Sequence, residues 1–143
     1  MPIRRRGTQS RSHLRRRAPV RTARLAFFEA AVERAIDRLP GPLRPLLDEV
    51  AIVVENEPSP EQLRTSGLDP DDTLYGLYEG TPPTEYAADW VPWPNKITLF
   101  RFPLEDDFPD PEDLAEEVRI TLVHELAHHA GFDERRLHEL GVD

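Results

Sequence analysis

Cysteine is absent from this 143-residue chain, and its one methionine is Met1. Without thiols there is no disulfide scaffold, no thiolate zinc finger and no cysteine nucleophile. No apolar run approaches the roughly 18 residues that a membrane span requires. No apolar segment of the signal-peptide kind follows the N-terminal arginines, so the expected compartment is the cytoplasm. Acid is missing from residues 1–24, which carry nine arginines. The remaining 119 residues hold the other nine basic side chains and all 27 acidic ones, a net of −18. The chain therefore reads as a disordered Arg-rich arm, 1–24, on an acidic domain, 25–143, with room for one modest core. The arm suits a weak contact with nucleic acid or another acidic surface, including its own domain. It lacks interleaved aromatics for base stacking, and only its arginine content resembles a transit peptide.

Hydrophobic residues make up 38% of the chain, and their spacing marks the elements. Leu25, Phe28, Val32, Ala35, Ile36 and Leu39 share one helical face, with Thr22 as the expected N-cap and Pro40-Gly41-Pro42 as the stop. Residues 50–54, VAIVV, form the strongest strand signal. Thirteen of the 15 prolines lie between 40 and 111, so that region is expected to hold short strands and loops. Residues 73–78 and 97–102 alternate as strands, and Trp90 and Trp93 suit a rigid loop packed on the sheet. Asp110 before Pro111 reads as the start of a helix running to about Ala130, with Gly131 ending it. A short helix over about 134–140 is expected to follow.

The chemistry lies in that long helix. His124-Glu125-Leu126-Ala127-His128 is an H-E-x-x-H run. Residues four apart share a helix face, so both imidazoles can reach one metal ion, with Glu125 beside them as a general base. Ile120, Leu122, Val123, Leu126, Ala127 and Ala130 cover most of the circumference, which implies burial nearly all round. Ionisable groups on such a helix are costly without a partner, and a zinc ion supplies one. A zinc site wants a third protein ligand. Glu134, ten residues after His124, stands where the longer H-E-x-x-H-x-x-G-x-x-H pattern places it. The alternatives are Asp133, His138 or a site completed by solvent, and Asp133 also suits the cap of the last helix. His129 points about 100° from His128 and suits a hydrogen bond to an acid or the helix dipole. Tyr75 and Tyr78 are candidates for stabilising an oxyanion, though core packing is the commoner fate of a strand tyrosine.

With these pieces in place, the chain resembles the bacterial minimal zincin-type, metzincin-like zinc metallopeptidases over about residues 25–141. The likeness rests on the first helix ending at Leu39-Pro40, the VAIVVEN strand, YGLYEG from Tyr75, PNKITLFR from Pro94, HELAHHAG from His124 and ERRLHELG from Glu134. It implies an α+β zincin-like fold, a small mixed sheet packed on two helices, the second carrying H-E-x-x-H, with a short C-terminal helix. It implies a Zn2+ cofactor held by two histidines and an acid, usually Asp, where this chain has Glu134. Larger metzincins carry a Met-turn after the motif. The only methionine here is Met1, so the lower wall of a peptidase cleft is expected to be missing. The activity implied is hydrolysis of a peptide or protein substrate, with residues 97–102 as the candidate edge for strand pairing. The rival is a metal-binding interaction protein without turnover, in which metal holds the C-terminal helix. A metal-assisted RNA hydrolase ranks last, because the acidic domain repels phosphate.

Overall fold

The computed structural model describes residues 4–5, 18–80 and 95–139. In chain order these form strand β1 (Arg4–Arg5), helix α1 (Ala18–Asp37), a 3₁₀ turn η1 (Gly41–Asp48), β2 (Val50–Glu55), α2 (Pro60–Thr65), β3 (Thr73–Leu74), β4 (Gly76–Glu79), β5 (Asn95–Phe100), α3 (Arg101–Asp107), α4 (Pro111–Ala130) and α5 (Glu134–Glu139). The fold is α+β. Its main sheet has three strands in the order β2-β5-β4, with β2 parallel and β4 antiparallel to β5.

Alternation along each strand sorts the side chains onto two faces. Ile97 and Leu99 of β5 join Phe28, Ala31 and Ala35 of α1 and Val118, Leu122 and Leu126 of α4 in the main core, with Val50, Ile52 and Val54 of β2 packed against it. On the opposite face, Leu77 and Phe100 cluster with Leu63 of α2, Leu68 and Leu74. The sheet thus lies between α1 and α4 on one side and the smaller α2 layer on the other. A Ser59–Gln62 capping box and Pro60 start α2.

The boundaries of α4 follow the sequence. The Asp110 carboxylate accepts from Glu112 N at 2.9 Å, and Pro111 occupies the first turn, where its missing N–H has no helical partner to lose. At the other end Gly131 adopts φ 78°, and the Phe132 N–H bonds Ala127 O at 2.8 Å. That left-handed residue lets the chain reverse without a Cβ clash.

Four expectations are corrected. The first helix begins at Ala18 rather than after Thr22, because Pro19 is pre-shaped for a first turn. Arg4 and Arg5 pair antiparallel with Leu74 and Thr73. The disordered arm of residues 1–24 therefore carries regular structure at 4–5 and from 18 onward; residues 6–17 lie outside the described residues. The 73–78 strand is split at Tyr75, its first half paired with β1 and its second with β5. The 97–102 strand ends at Phe100. There Arg101 and Glu105 bond at 2.9 Å across one helical turn, and Pro103 sits in the opening turn of α3. The apparent alternation through Phe102 was the start of that helix. The Trp90–Trp93 loop lies outside the described residues.

Candidate metal centre

Helix α4 brings His124, Glu125 and His128 to its last two turns. The Nδ1–H of His124 donates to the Ile120 carbonyl at 2.9 Å. That bond fixes the tautomer, so Nε2 keeps its lone pair. His128 places Nδ1 3.2 Å from the Glu125 Oε2, and a carboxylate there makes Nδ1 the donor and again leaves Nε2 as the lone-pair nitrogen. Two imidazoles oriented through Nδ1, with both Nε2 atoms available, are the donor set that a zinc ion takes. The residues fit the metal to that extent.

Glu125 is fully buried, as are Leu122, Val123, Leu126 and Ala127 around it. Its side chain runs between α4 and β4. A Cβ built on Gly76 would stand 3.5 Å from the Glu125 Cγ and only 2.5 Å from the Thr121 Cγ2. A glycine inside a strand signals a close approach of backbone, and here it lets the edge strand lie directly on the motif helix. That signal was present in the sequence at Gly76.

The third ligand is not gathered in. Glu134 opens α5 as an exposed first-turn acid. Asp133 accepts from Arg136 N at 2.9 Å and so caps α5. His138 is exposed on α5. Among the described residues no three His, Asp or Glu side chains group closely enough to hold a metal. The buried residue of α5 is Leu137; it anchors the helix to the core while Glu134 remains in water.

The two tyrosines separate. Tyr75 is buried beside Phe108, ring centroids 5.6 Å apart, and its hydroxyl donates to Asp107. Tyr75 is thus a core residue whose hydroxyl is engaged by Asp107. Tyr78 lies by the motif end of α4, with its hydroxyl 3.0 Å from the Nδ1 of His129. The His129 Nε2 is 3.7 Å from Glu49 Oε2. Glu49 stands far away in sequence and carries no motif, so nothing in the chain marked it as a neighbour of this site.

Strand pairing also moves the candidate docking edge. Residues 97–100 lie in β5, the central strand, hydrogen-bonded on both sides. Among the described residues the edge strand beside the motif helix is β4.

A small mixed sheet packed on two helices, the second carrying H-E-x-x-H, is the architecture that the zincin resemblance implied. The model of the zincin-like metallopeptidase family matches residues 47–142, and the chain belongs to that family. A search of curated proteins finds no match. No helix of the described residues is long and apolar enough to cross a membrane.

Proposed function

We propose that the protein is a zinc-dependent peptidase acting on a peptide or protein substrate. The observation that carries this reading is the pairing of both Nδ1 atoms, at Ile120 O and at Glu125, which leaves two Nε2 lone pairs on one helix beside a buried carboxylate. His124 and His128 hold the metal. When bound, zinc supplies Lewis acidity that polarises a carbonyl and draws the pKa of water toward ~7. Glu125 takes the proton from the attacking water and passes it to the leaving amine. To reach that water the Glu125 carboxylate, fully buried and 3.2 Å from His128 Nδ1, has to turn away from His128 while Gly76 holds the edge strand close above it. An extended peptide pairs with β4, whose partner on the sheet side is β5. This edge replaces residues 97–102.

The metal-binding interaction protein without turnover is supported by one observation, the failure of Glu134 to join the histidines among the described residues. Metal then ties the end of α4 without assembling a working site.

Two measurements separate the readings. Elemental analysis of protein purified without added metal is expected to give about one zinc per chain. A screen of peptide substrates is expected to show hydrolysis that Glu125→Gln abolishes while zinc content is kept. Zinc without hydrolysis selects the interaction protein, and a chain that takes up no zinc on dialysis defeats both.

A further inference from the structure

His129 adjoins His128 but faces a different set of partners. Its ring lies 5.1 Å from the Tyr78 ring, tilted by 51°. Its Nδ1 stands 3.0 Å from the Tyr78 hydroxyl, and its Nε2 stands 3.7 Å from Glu49 Oε2. With the ring proton on Nε2, the nitrogen facing the Glu49 carboxylate, the Tyr78 O–H donates to Nδ1. His129 is thereby held from β4 by a hydrogen bond, with the exposed Glu49 carboxylate at longer range on its other side. Only 12% of the His129 side chain is exposed, which shields its bond to Tyr78, whereas Glu49 is 57% exposed and its contact is open to water. Gly80 makes room for this arrangement, because a Cβ there would overlap the Tyr78 hydroxyl and the Asn95 side chain.

The grip falls where α4 needs it. The last four carbonyls of a helix have no partner within the helix, and the final turn frays unless something else holds it. Gly131 N and Phe132 N return to His128 O and Ala127 O, which caps the backbone, and the His129 side chain adds a tie to the sheet. His128 belongs to this turn, whereas His124 lies a full turn deeper. Two histidines serve one metal only while their spacing is kept. Strand and helix also advance in step here. From Gly76 to Tyr78 the strand rises about 6.7 Å, and from Glu125 to His129 the helix rises about 6.0 Å. Gly76 rests on Thr121 and Glu125 through apolar contact without direction. The Tyr78–His129 bond is directional and pins the other end.

We propose that Tyr78 is a positioning residue for the metal pair: by holding His129 it stops the last turn of α4 from fraying and keeps His128 at its spacing from His124. The proposal rests on the reading of His124 and His128 as metal ligands. Tyr78 acts through His129 rather than on a substrate, so it replaces the oxyanion role expected of that residue.

The test uses the full chain and the variants Tyr78→Phe, His129→Leu and His129→Asn. Amide hydrogen exchange of the metal-free protein reads the last turn directly. Zinc affinity, by competition with a chromogenic chelator, reads the pair. Losing one shielded hydrogen bond is expected to speed exchange at residues 128–132 by about fivefold and to raise the zinc Kd by about fivefold in Tyr78→Phe. His129→Leu should do at least as much. His129→Asn, whose amide reaches the place of Nδ1, should stay near wild type in both. The visible spectrum of the cobalt-loaded protein should change in Tyr78→Phe and not in His129→Asn. Wild-type exchange and zinc affinity in Tyr78→Phe overturn the proposal, and so does faster exchange with unchanged affinity. A wild-type chain that binds no zinc overturns the metal reading itself, a result visible before any variant is compared.

Discussion

Replacing Gly76 with alanine adds one methyl group at the tightest contact between the edge strand and the motif helix. The new Cβ would lie 2.5 Å from Thr121 Cγ2, 3.4 Å from Thr98 O and 3.5 Å from Glu125 Cγ. Carbon atoms settle at about 3.5–4.0 Å, so strand and helix must part by about 1 Å or Thr121 must leave its rotamer. Thr121 is fully buried and β-branched, which leaves it few rotamers within a helix. Overpacking of this kind costs about 1–3 kcal/mol. Removing a strand glycine returns about 0.5–1 kcal/mol of backbone entropy. The expected net loss is about 1–2 kcal/mol, a fall in Tm of about 4–8 °C for a domain of this size. Thermal unfolding by circular dichroism measures it. Thr121→Ser removes the offending Cγ2, so the double variant should recover most of the loss, and a double-mutant cycle gives the coupling directly. A Gly76→Ala protein that melts at or above the wild-type temperature, or a double variant no better than the single one, would refute the packing read at this contact. Parting β4 from Glu125 should also lower any hydrolytic rate.

Tyr75→Phe removes the hydroxyl that donates to Asp107; it should cost about 1 kcal/mol in urea unfolding and leave zinc affinity unchanged, whereas a role at the metal centre would weaken both. The Thr121 Oγ1 is buried without a partner among the described residues. Thr121→Val keeps the shape and should raise stability by about 1 kcal/mol, checked by the same denaturant titration. On the outer face Arg119 bonds Glu116 at 2.6 Å. That bond holds the Glu116 carboxyl below its ordinary value of 4.5, partly offset by burial. A depressed folded pKa means the pair stabilises above that value and is lost as pH falls through the lower folded one. Because Glu116 is more than half exposed, Glu116→Gln should cost less than about 0.5 kcal/mol at pH 7, and this deficit should vanish in acid unfolding curves once pH has fallen through the lowered folded value.

Local sequence determined a good deal of this protein. The ends of α4 were legible because capping is local: Asp110, Pro111 and Gly131 do their work on the backbone next to them. The joint position of His124, Glu125 and His128 was legible for the same reason, since a helix alone puts residues four apart on one face. Spacing marked the separate helices and strands, and the α+β class came with the resemblance carried by HELAHHAG and the strand motifs, which the chain's membership of the zincin-like family bears out. The order of strands was not legible. Residues 97–100 read equally well as an edge or a centre, because alternation reports which face is buried and says nothing of how many neighbours a strand has. The strand-to-helix change at Arg101 was missed because Phe100, Phe102 and Leu104 fit both periods over so short a run. Glu49 and Tyr78 meet His129 only after the chain has passed through β2, β4 and β5, and no residue pattern encodes a contact made through three separate elements. The same holds for Glu134. Its distance of ten residues from His124 states how far the chain can reach, whereas the burial of Leu137 and the capping by Asp133 decide where α5 comes to rest. Periodicity and capping act within a few residues and survive in the sequence; the placing of one element against another depends on the whole core and exists only in the folded chain.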